Sequence, residues 1–298
     1  MTNFMLLNKY QTVILFFLST ILLTFNINLK FDNLTIVCFF LIATIGVSHG
    51  SLDHIKGHKL LKIFKIENKL FFYLGYIFIS LIIIGLWLIL PLFTLIVFLI
   101  VASYHFGKED AVFEKNKKIK LLNIFLFFKG SLVILAPLYF NQNETIKIFE
   151  NLDVEFNMVN NNILIVFMAL SLVSNFFVNK NIFLSFLDSL TIIMLNVNFS
   201  PLLSFTIYFC FLHSLRHSFS IIEEMNNKNF KSGIILFLKK AMPLTLITAL
   251  MFLIFIFFLN KYYSLDSAIL KVIFIGLASL TFPHILLEYL LEKHEKRT

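Results

Sequence analysis

Residues 70–107 read LFFYLGYIFISLIIIGLWLILPLFTLIVFLIVASYHFG, a stretch without a single Asp, Glu, Lys or Arg. About 20 apolar residues suffice for one helix to cross a bilayer, so this stretch is too long for one span and long enough for two. Pro91 lies near its middle, and the residue before a proline disfavours helical geometry. The stretch therefore predicts two membrane-spanning helices that meet at Pro91.

The rest of the chain has the same apolar character. Of its 298 residues, 59% are hydrophobic and 14% are charged, and the mean hydropathy is +0.88. Soluble proteins contain about 45–50% apolar and about 25% charged residues, so an ordinary soluble protein is excluded. A disordered chain is excluded as well, because disorder requires low hydrophobicity. No charged block is long enough to be a separate soluble domain, so residues 1–298 are predicted to form a single integral-membrane domain.

Ten apolar stretches approach or reach the length of a membrane span. They predict an all-α, polytopic membrane helix bundle of about ten, and at least eight, transmembrane helices. The stretches are 10–29, 33–54, 70–90, 92–107, 119–139, 162–179, 181–197, 201–222, 241–260 and 268–290. The first has a longer apolar run than a signal peptide and no small-residue cleavage site after it, so we interpret it as a retained span.

The positive charges predict the orientation of the bundle. If the N-terminus is cytoplasmic, nineteen of the 25 Lys and Arg residues lie on the cytoplasmic side and four on the other, with Lys129 and Arg216 inside spans. Cytoplasmic loops carry an excess of these residues, so we predict an N-in, C-in, multi-pass protein of the cytoplasmic membrane. The acidic segment 141–162 then lies outside. Because the net charge of +8 comes from these loops, it predicts no nucleic-acid partner.

Six of the eight histidines lie in or near the predicted spans. Ionisable residues inside membrane segments are costly and are functional candidates by default. In the predicted topology all six belong to even-numbered spans, and most lie within a layer about one helical turn thick. Independent structural histidines have no reason to share a depth, whereas the ligands of one ion do. These residues are His49, His54, His105, His213, His217 and His284.

The motif H-S-L-R-H at 213–217 places two imidazoles at positions i and i+4, on one face of a helix. Together with the other histidines, this spacing predicts a metal site. Imidazole ligands without cysteine suit Fe, Zn, Cu or Ni, and the spacing alone does not choose among them. The two cysteines, Cys38 and Cys210, lie inside apolar runs and are interpreted as small core residues.

Carboxylates flank two of the histidines. Asp53 follows His49 by four residues, and Glu109 follows His105 by four, so each could accept a hydrogen bond from its histidine and fix the ring. The alternative is that these carboxylates mark the water interface, which is our expectation for Asp110. We expect Arg216 to reach the cytoplasm or to pair with Asp53 or Glu109. Gly50 and Gly107 could allow helices to approach closely beside the site.

Four blocks resemble the Brp/Blh family of membrane β-carotene 15,15′-dioxygenases, the bacterial and archaeal enzymes that form retinal. The blocks are GVSHGSLDH at 46–54, YHFGKED at 104–110, HSLRH at 213–217 and PH at 283–284. The chain differs from the usual pattern at Ser48, where proline is common, and at Tyr104, where tryptophan is common.

The resemblance implies a catalytic membrane domain that cleaves β-carotene, or a related carotenoid, with O₂ to give two molecules of retinal. It implies non-haem Fe(II) bound by His49, His105, His213 and His217. Asp53, His54, Glu109 and His284 are then expected to support catalysis around the ligands or in the substrate pocket. A lipid-dissolved substrate suits an enzyme inside the bilayer, and a retinal-binding rhodopsin is implied as a functional partner.

Two other classes of function stay open from the residues. A different histidine-ligated membrane metal oxidase or hydroxylase would also use histidine-rich helices, and two irons per chain would favour it. A transporter or a haem-binding membrane protein would place its histidines at staggered depths, or as an axial pair across a haem.

Overall fold

A computed structural model describes residues 3–25, 33–111, 121–226 and 229–295, and the regular elements in these ranges are helices. Thirteen α-helical segments follow one another along the described chain. They are α1 Asn3–Thr24, α2 Leu34–Leu41, α3 Asp53–Ile63, α4 Leu70–Ile89, α5 Pro91–Glu109, α6 Leu122–Phe140, α7 Gln142–Asn151, α8 Asn161–Val178, α9 Ile182–Asn198, α10 Pro201–Ile207, α11 Leu215–Met225, α12 Phe230–Leu259 and α13 Leu265–Glu295.

Eight helices in the described ranges are long and apolar enough to cross a membrane. One of them is the composite helix Leu34–Ile63, which contains α2 and α3. The shorter α9 and the composite of α10 and α11 correspond to the two remaining predicted spans. The predicted all-α polytopic bundle of about ten spans is therefore confirmed, including the break at Pro91, which begins α5. The orientation of the bundle in the membrane stays a prediction.

Several predicted boundaries are wrong because polar residues on helices were interpreted as loop residues. Helix α1 begins at Asn3 rather than at residue 10, and the polar residue Asn8 on it is buried in the bundle. Helix α12 begins at Phe230 rather than at 241. Residues 56–63, expected in a loop, belong to α3. His58 and His294, also expected in loops, lie in α3 and α13. The acidic segment after α6 contains the unpredicted helix α7.

Two of the membrane helices are interrupted by π-helical turns. One turn covers Ile42–Gly46 and the other covers Tyr208–Ser214. The two turns lie side by side, and the Ser214 hydroxyl donates to the Gly46 carbonyl at 2.8 Å. A π turn inserts an extra residue and often occurs at a functional site. His49 follows the first turn and His213 lies within the second, so these turns position both rings.

Helices α5 and α6 pack closely through a pair of glycines. A Cβ on Gly107 would lie 1.8 Å from the Leu126 carbonyl oxygen, and a Cβ on Gly130 would lie 1.9 Å from the Ser103 carbonyl oxygen. Only glycine fits at such an approach of two backbones. The expectation for Gly107 is therefore confirmed, whereas Gly50 has nothing within 4 Å and does not serve this purpose.

Candidate metal centre

Five imidazole rings, contributed by separate parts of the bundle, meet inside it. We call His49, His105, His213, His217 and His284 the histidine cluster. The ring centroids of neighbouring members lie between 5.1 Å, for His105 and His213, and 5.7 Å, for His217 and His284. All five side chains are buried. The structure thus brings together the four predicted ligands and His284, while the role of each as a ligand stays a prediction.

Three nitrogens of the histidine cluster are buried without a hydrogen-bond partner. They are Nδ1 of His49, Nε2 of His213 and Nε2 of His284. A buried polar atom without a partner is costly, and it calls for a ligand, an ion or a water. Ligand atoms of His49, His105 and His284 all lie within 4.8 Å of one another. The residues present therefore fit a bound metal ion.

Three rings of the histidine cluster each donate a hydrogen bond to a carboxylate through Nδ1. In each pair the carboxylate and the histidine belong to different helices. His213 donates from Nδ1 to Asp110 at 3.2 Å, and His217 donates to Glu109 at 3.0 Å. His284 donates to Asp53 at 2.9 Å. A carboxylate in this position fixes the orientation of a ligating ring and raises its basicity.

These pairs differ from those expected within single helices. Asp53 bonds to His284 rather than to His49, because a turn at 47–49 and a short 3-10 helix at Gly50–Leu52 break the i, i+4 relation. In α5, Glu109 bonds to His217 on the neighbouring α11 instead of to His105. Asp110 is not an interface residue. It is buried, and it accepts bonds from both His213 and Tyr208.

The prediction that Arg216 reaches the cytoplasm or pairs with Asp53 or Glu109 is wrong. Its guanidinium binds both carboxylate oxygens of Asp188 on α9, at 2.8 and 2.6 Å, and donates to Thr12 on α1 at 2.7 Å. The whole group is buried. A charge inside an apolar bundle requires such a partner, so this contact fastens α1 and α9 to α11 behind the histidine cluster. Lys129 is also buried there and donates to Ser185 at 3.0 Å.

Sequence reasoning missed three residues beside the histidine cluster. Glu288 lies one helical turn beyond His284 on α13, with Oε1 3.6 Å from Nε2 of His217 and 3.9 Å from Nε2 of His284. Lys56 pairs with Glu288 at 2.7 Å. The Tyr76 hydroxyl on α4 donates to Asp53 at 2.9 Å. The spacing of Glu288 from His284 was the signal that could have identified it.

An apolar cavity of about 300 Å³ adjoins the histidine cluster. His49, His105 and His284 form its polar wall, and Phe98, Phe106, Phe205, Phe209, Leu277 and Leu280 contribute to the apolar lining. Tyr73 and Ile77 also line it and are 36% and 55% exposed on the surface of α4, so the cavity reaches the outside of the bundle. His54 lines the cavity and donates to the Ser51 carbonyl. Of the four expected catalytic residues, His54 is the one that takes no part in the hydrogen bonds between carboxylates and imidazole rings described above.

Comparison with known proteins gives a consistent result. Residues 40–292 match the protein family described as Beta-carotene 15,15'-dioxygenase, a range that includes the whole histidine cluster and Glu288. A relative from an uncultured marine bacterium, 66A03, carries the same name, Beta-carotene 15,15'-dioxygenase. It is 28% identical over 265 residues, which are 86% of this chain and 94% of the relative. No solved structure matches.

Proposed function

Because the chain belongs to the beta-carotene 15,15'-dioxygenase family and is therefore an oxygenase, we propose that it cleaves β-carotene or a related carotenoid with O₂. Cleavage of the central double bond gives two molecules of retinal. The reaction takes place inside the membrane, at one non-haem Fe(II) ion in the histidine cluster. The observation that carries this proposal is the set of buried, unpartnered imidazole nitrogens beside an apolar cavity.

The proposed ligands are His49, His105, His213 and His217, and the geometry favours His284 as a further donor. Its Nε2 has no partner, while its Nδ1 is held by Asp53. Imidazole nitrogens suit iron, and a bound non-haem iron supplies the activation of O₂. Asp53, Glu109 and Asp110 accept the Nδ1 protons of three rings, which leaves the Nε2 atoms of these rings unprotonated and fixed in direction.

The cavity is suited to a long, uncharged polyene. Its lining is mostly aromatic and aliphatic. Among the described residues, the imidazole and carboxylate side chains that line it are those of His49, His54, His105, His284 and Asp53. Such a lining can hold the middle of a carotenoid by apolar burial. Since Tyr73 and Ile77 lie at the outer surface, the substrate enters from the lipid bilayer through the side of the bundle.

Among the alternatives, the family match favours carotenoid cleavage over another metal oxidase, and an apolar cavity against the histidine cluster does not resemble a polar transport path. Delivery of retinal to a retinal-binding rhodopsin stays a prediction.

The test is expression in a bacterium that makes β-carotene, with the loss of β-carotene and the formation of retinal followed by chromatography. The wild-type chain should form retinal and purify with iron, and His213→Ala should lose both together because it removes a buried donor. His294→Ala is the matched control, since His294 contacts Phe64 away from the cavity. Retention of iron and activity by His213→Ala would contradict the proposed ligand set. A wild-type chain that forms no retinal would contradict the proposed reaction.

A further inference from the structure

We infer that Glu288 is a carboxylate ligand of the metal, so that the centre combines imidazoles with one anionic oxygen donor. This inference rests on the proposed function, because it concerns the same metal ion. It goes beyond that function in assigning a ligand outside the histidine motifs.

The positions of the donor atoms support a shared ion. Oε1 of Glu288 lies 3.6 Å from Nε2 of His217 and 3.9 Å from Nε2 of His284. Donors that bind one metal ion at about 2.0–2.2 Å lie roughly 3–4 Å apart. His284 is 3% exposed, and its Nε2 has no hydrogen-bond partner. This nitrogen is therefore available to bind an ion in the same space.

The combination of ligands also fits the reaction. Two histidines and one carboxylate, with open positions for O₂, are typical of non-haem iron oxygenases. His217, His284 and Glu288 form such a set, and their ligand atoms lie within 4.8 Å of one another. With these three donors bound, the ion keeps an open position for O₂ when at most two of His49, His105 and His213 also bind it. His284 and Glu288 are four residues apart on α13, so one helical face presents both.

Lys56 shows that this space attracts a cation. Its ammonium group lies 2.7 Å from Oε1 of Glu288 and 3.4 Å from Nε2 of His217. The structure therefore already holds a positive charge against two of the proposed donors. A carboxylate has two oxygens and about four acceptor positions, so Glu288 can bind a metal ion and keep its bond to Lys56.

The proposal predicts different behaviour for Glu288 and for its neighbour Glu292 on the same helix. Glu288→Gln keeps the size of the side chain but removes the anionic donor, so the Kd for Fe(II) should rise at least about 100-fold, beyond the 10–100-fold typical of an outer partner. The visible spectrum of the Co(II)-substituted protein should change as well. Glu292→Gln is the matched control. Glu292 pairs with Lys108 at 2.8 Å and its side chain is 52% exposed, so metal binding should match that of the wild type.

Two further variants distinguish Glu288 as a metal ligand from Glu288 as a residue that only forms an ion pair with Lys56. Lys56→Met should keep the wild-type Co(II) spectrum, because the carboxylate remains. Glu288→His should restore metal binding with a new spectrum, because it returns a neutral donor that cannot form an ion pair with the ammonium. If Glu288→Gln and Lys56→Met raise the Kd equally and neither alters the spectrum, the ion pair alone explains Glu288 and the inference is wrong. A wild-type protein that binds no metal would contradict the proposed function instead.

Discussion

At the scale of single residues, carboxylates surround the histidine cluster, and their spacing in the sequence suggested the wrong histidine partners. The five histidines could be predicted because ionisable side chains are rare in apolar helices and because most shared a predicted depth. Their partners could not, since Asp53, Glu109 and Asp110 each bond to a ring on another helix. Such contacts depend on helix packing, and sequence spacing reports only neighbours on the same helix.

Tyr76 links the cavity to one of the candidate ligands. Its hydroxyl donates to Oδ2 of Asp53 at 2.9 Å, and the same carboxylate accepts the Nδ1 proton of His284. A hydrogen bond to a charged group contributes about 1.5–3 kcal/mol, and 1.36 kcal/mol in a barrier is about tenfold in rate. Tyr76→Phe should therefore lower the rate of retinal formation about tenfold while iron stays bound, as measured by initial rates and metal analysis.

The control for this prediction is Tyr73→Phe, which removes a hydroxyl from another tyrosine of the cavity lining. Its ring contacts His58 and Phe72 rather than the carboxylates of the metal centre. Equal effects of the two substitutions on the rate would assign Tyr76 to substrate packing and not to the orientation of Asp53.

At the scale of helices, irregular turns and a close glycine contact set the positions of the residues in the histidine cluster. The lengths of the apolar stretches predicted where helices run, and the structure agrees for most of them. They gave no sign of the π turns at Ile42–Gly46 and Tyr208–Ser214, because those turns are stabilised by contact with each other. The early start of α1 escaped prediction because Asn8, although buried in the bundle, looks like a loop residue in the sequence. The early start of α12 escaped it because the helix begins with exposed lysines, which were interpreted as loop residues.

The contact between Gly107 and Gly130 leads to a prediction for α5, which carries His105 and Glu109. In Gly130→Ala the new Cβ would lie 1.9 Å from the Ser103 carbonyl oxygen and 2.4 Å from the Gly107 nitrogen, so the two helices must move apart. Overpacking of this kind typically costs about 1–3 kcal/mol. The purified variant should unfold at a lower temperature and bind iron more weakly, as measured by thermal unfolding in detergent and by metal titration.

Gly85→Ala on α4 is the matched control, because nothing lies within 4 Å of its added Cβ. Glycine inside a helix is less favourable than alanine by roughly 0.5–1 kcal/mol, so this variant should be as stable as the wild type or slightly more stable. A Gly130→Ala protein that unfolds and binds iron as Gly85→Ala does would show that α5 and α6 adjust without moving His105.

At the scale of the whole molecule, the histidine cluster lies nearer to one end of the bundle. Trp87, close to the end of α4, donates to the Leu152 carbonyl, and Ser267 near the start of α13 bonds to Asn151. The segment around residue 152 therefore lies at the end of α4 opposite its start at Leu70. His284 and Glu288 come about 30 Å along α13 from its first residue, at the end where Lys56 and Lys108 form their ion pairs.

This arrangement, combined with the charge distribution, predicts which side of the membrane each end faces. Glu67 precedes α4 and Glu155 lies in the acidic segment beyond its far end, and both side chains are exposed. The excess of Lys and Arg places the end with Glu67 in the cytoplasm. In a chain with Cys38 and Cys210 replaced by serine, a membrane-impermeant thiol reagent should label Glu155→Cys in intact cells. It should label Glu67→Cys only after the membrane is permeabilised. The reverse pattern would invert the topology, and labelling of both positions in intact cells would show that α4 does not cross the membrane.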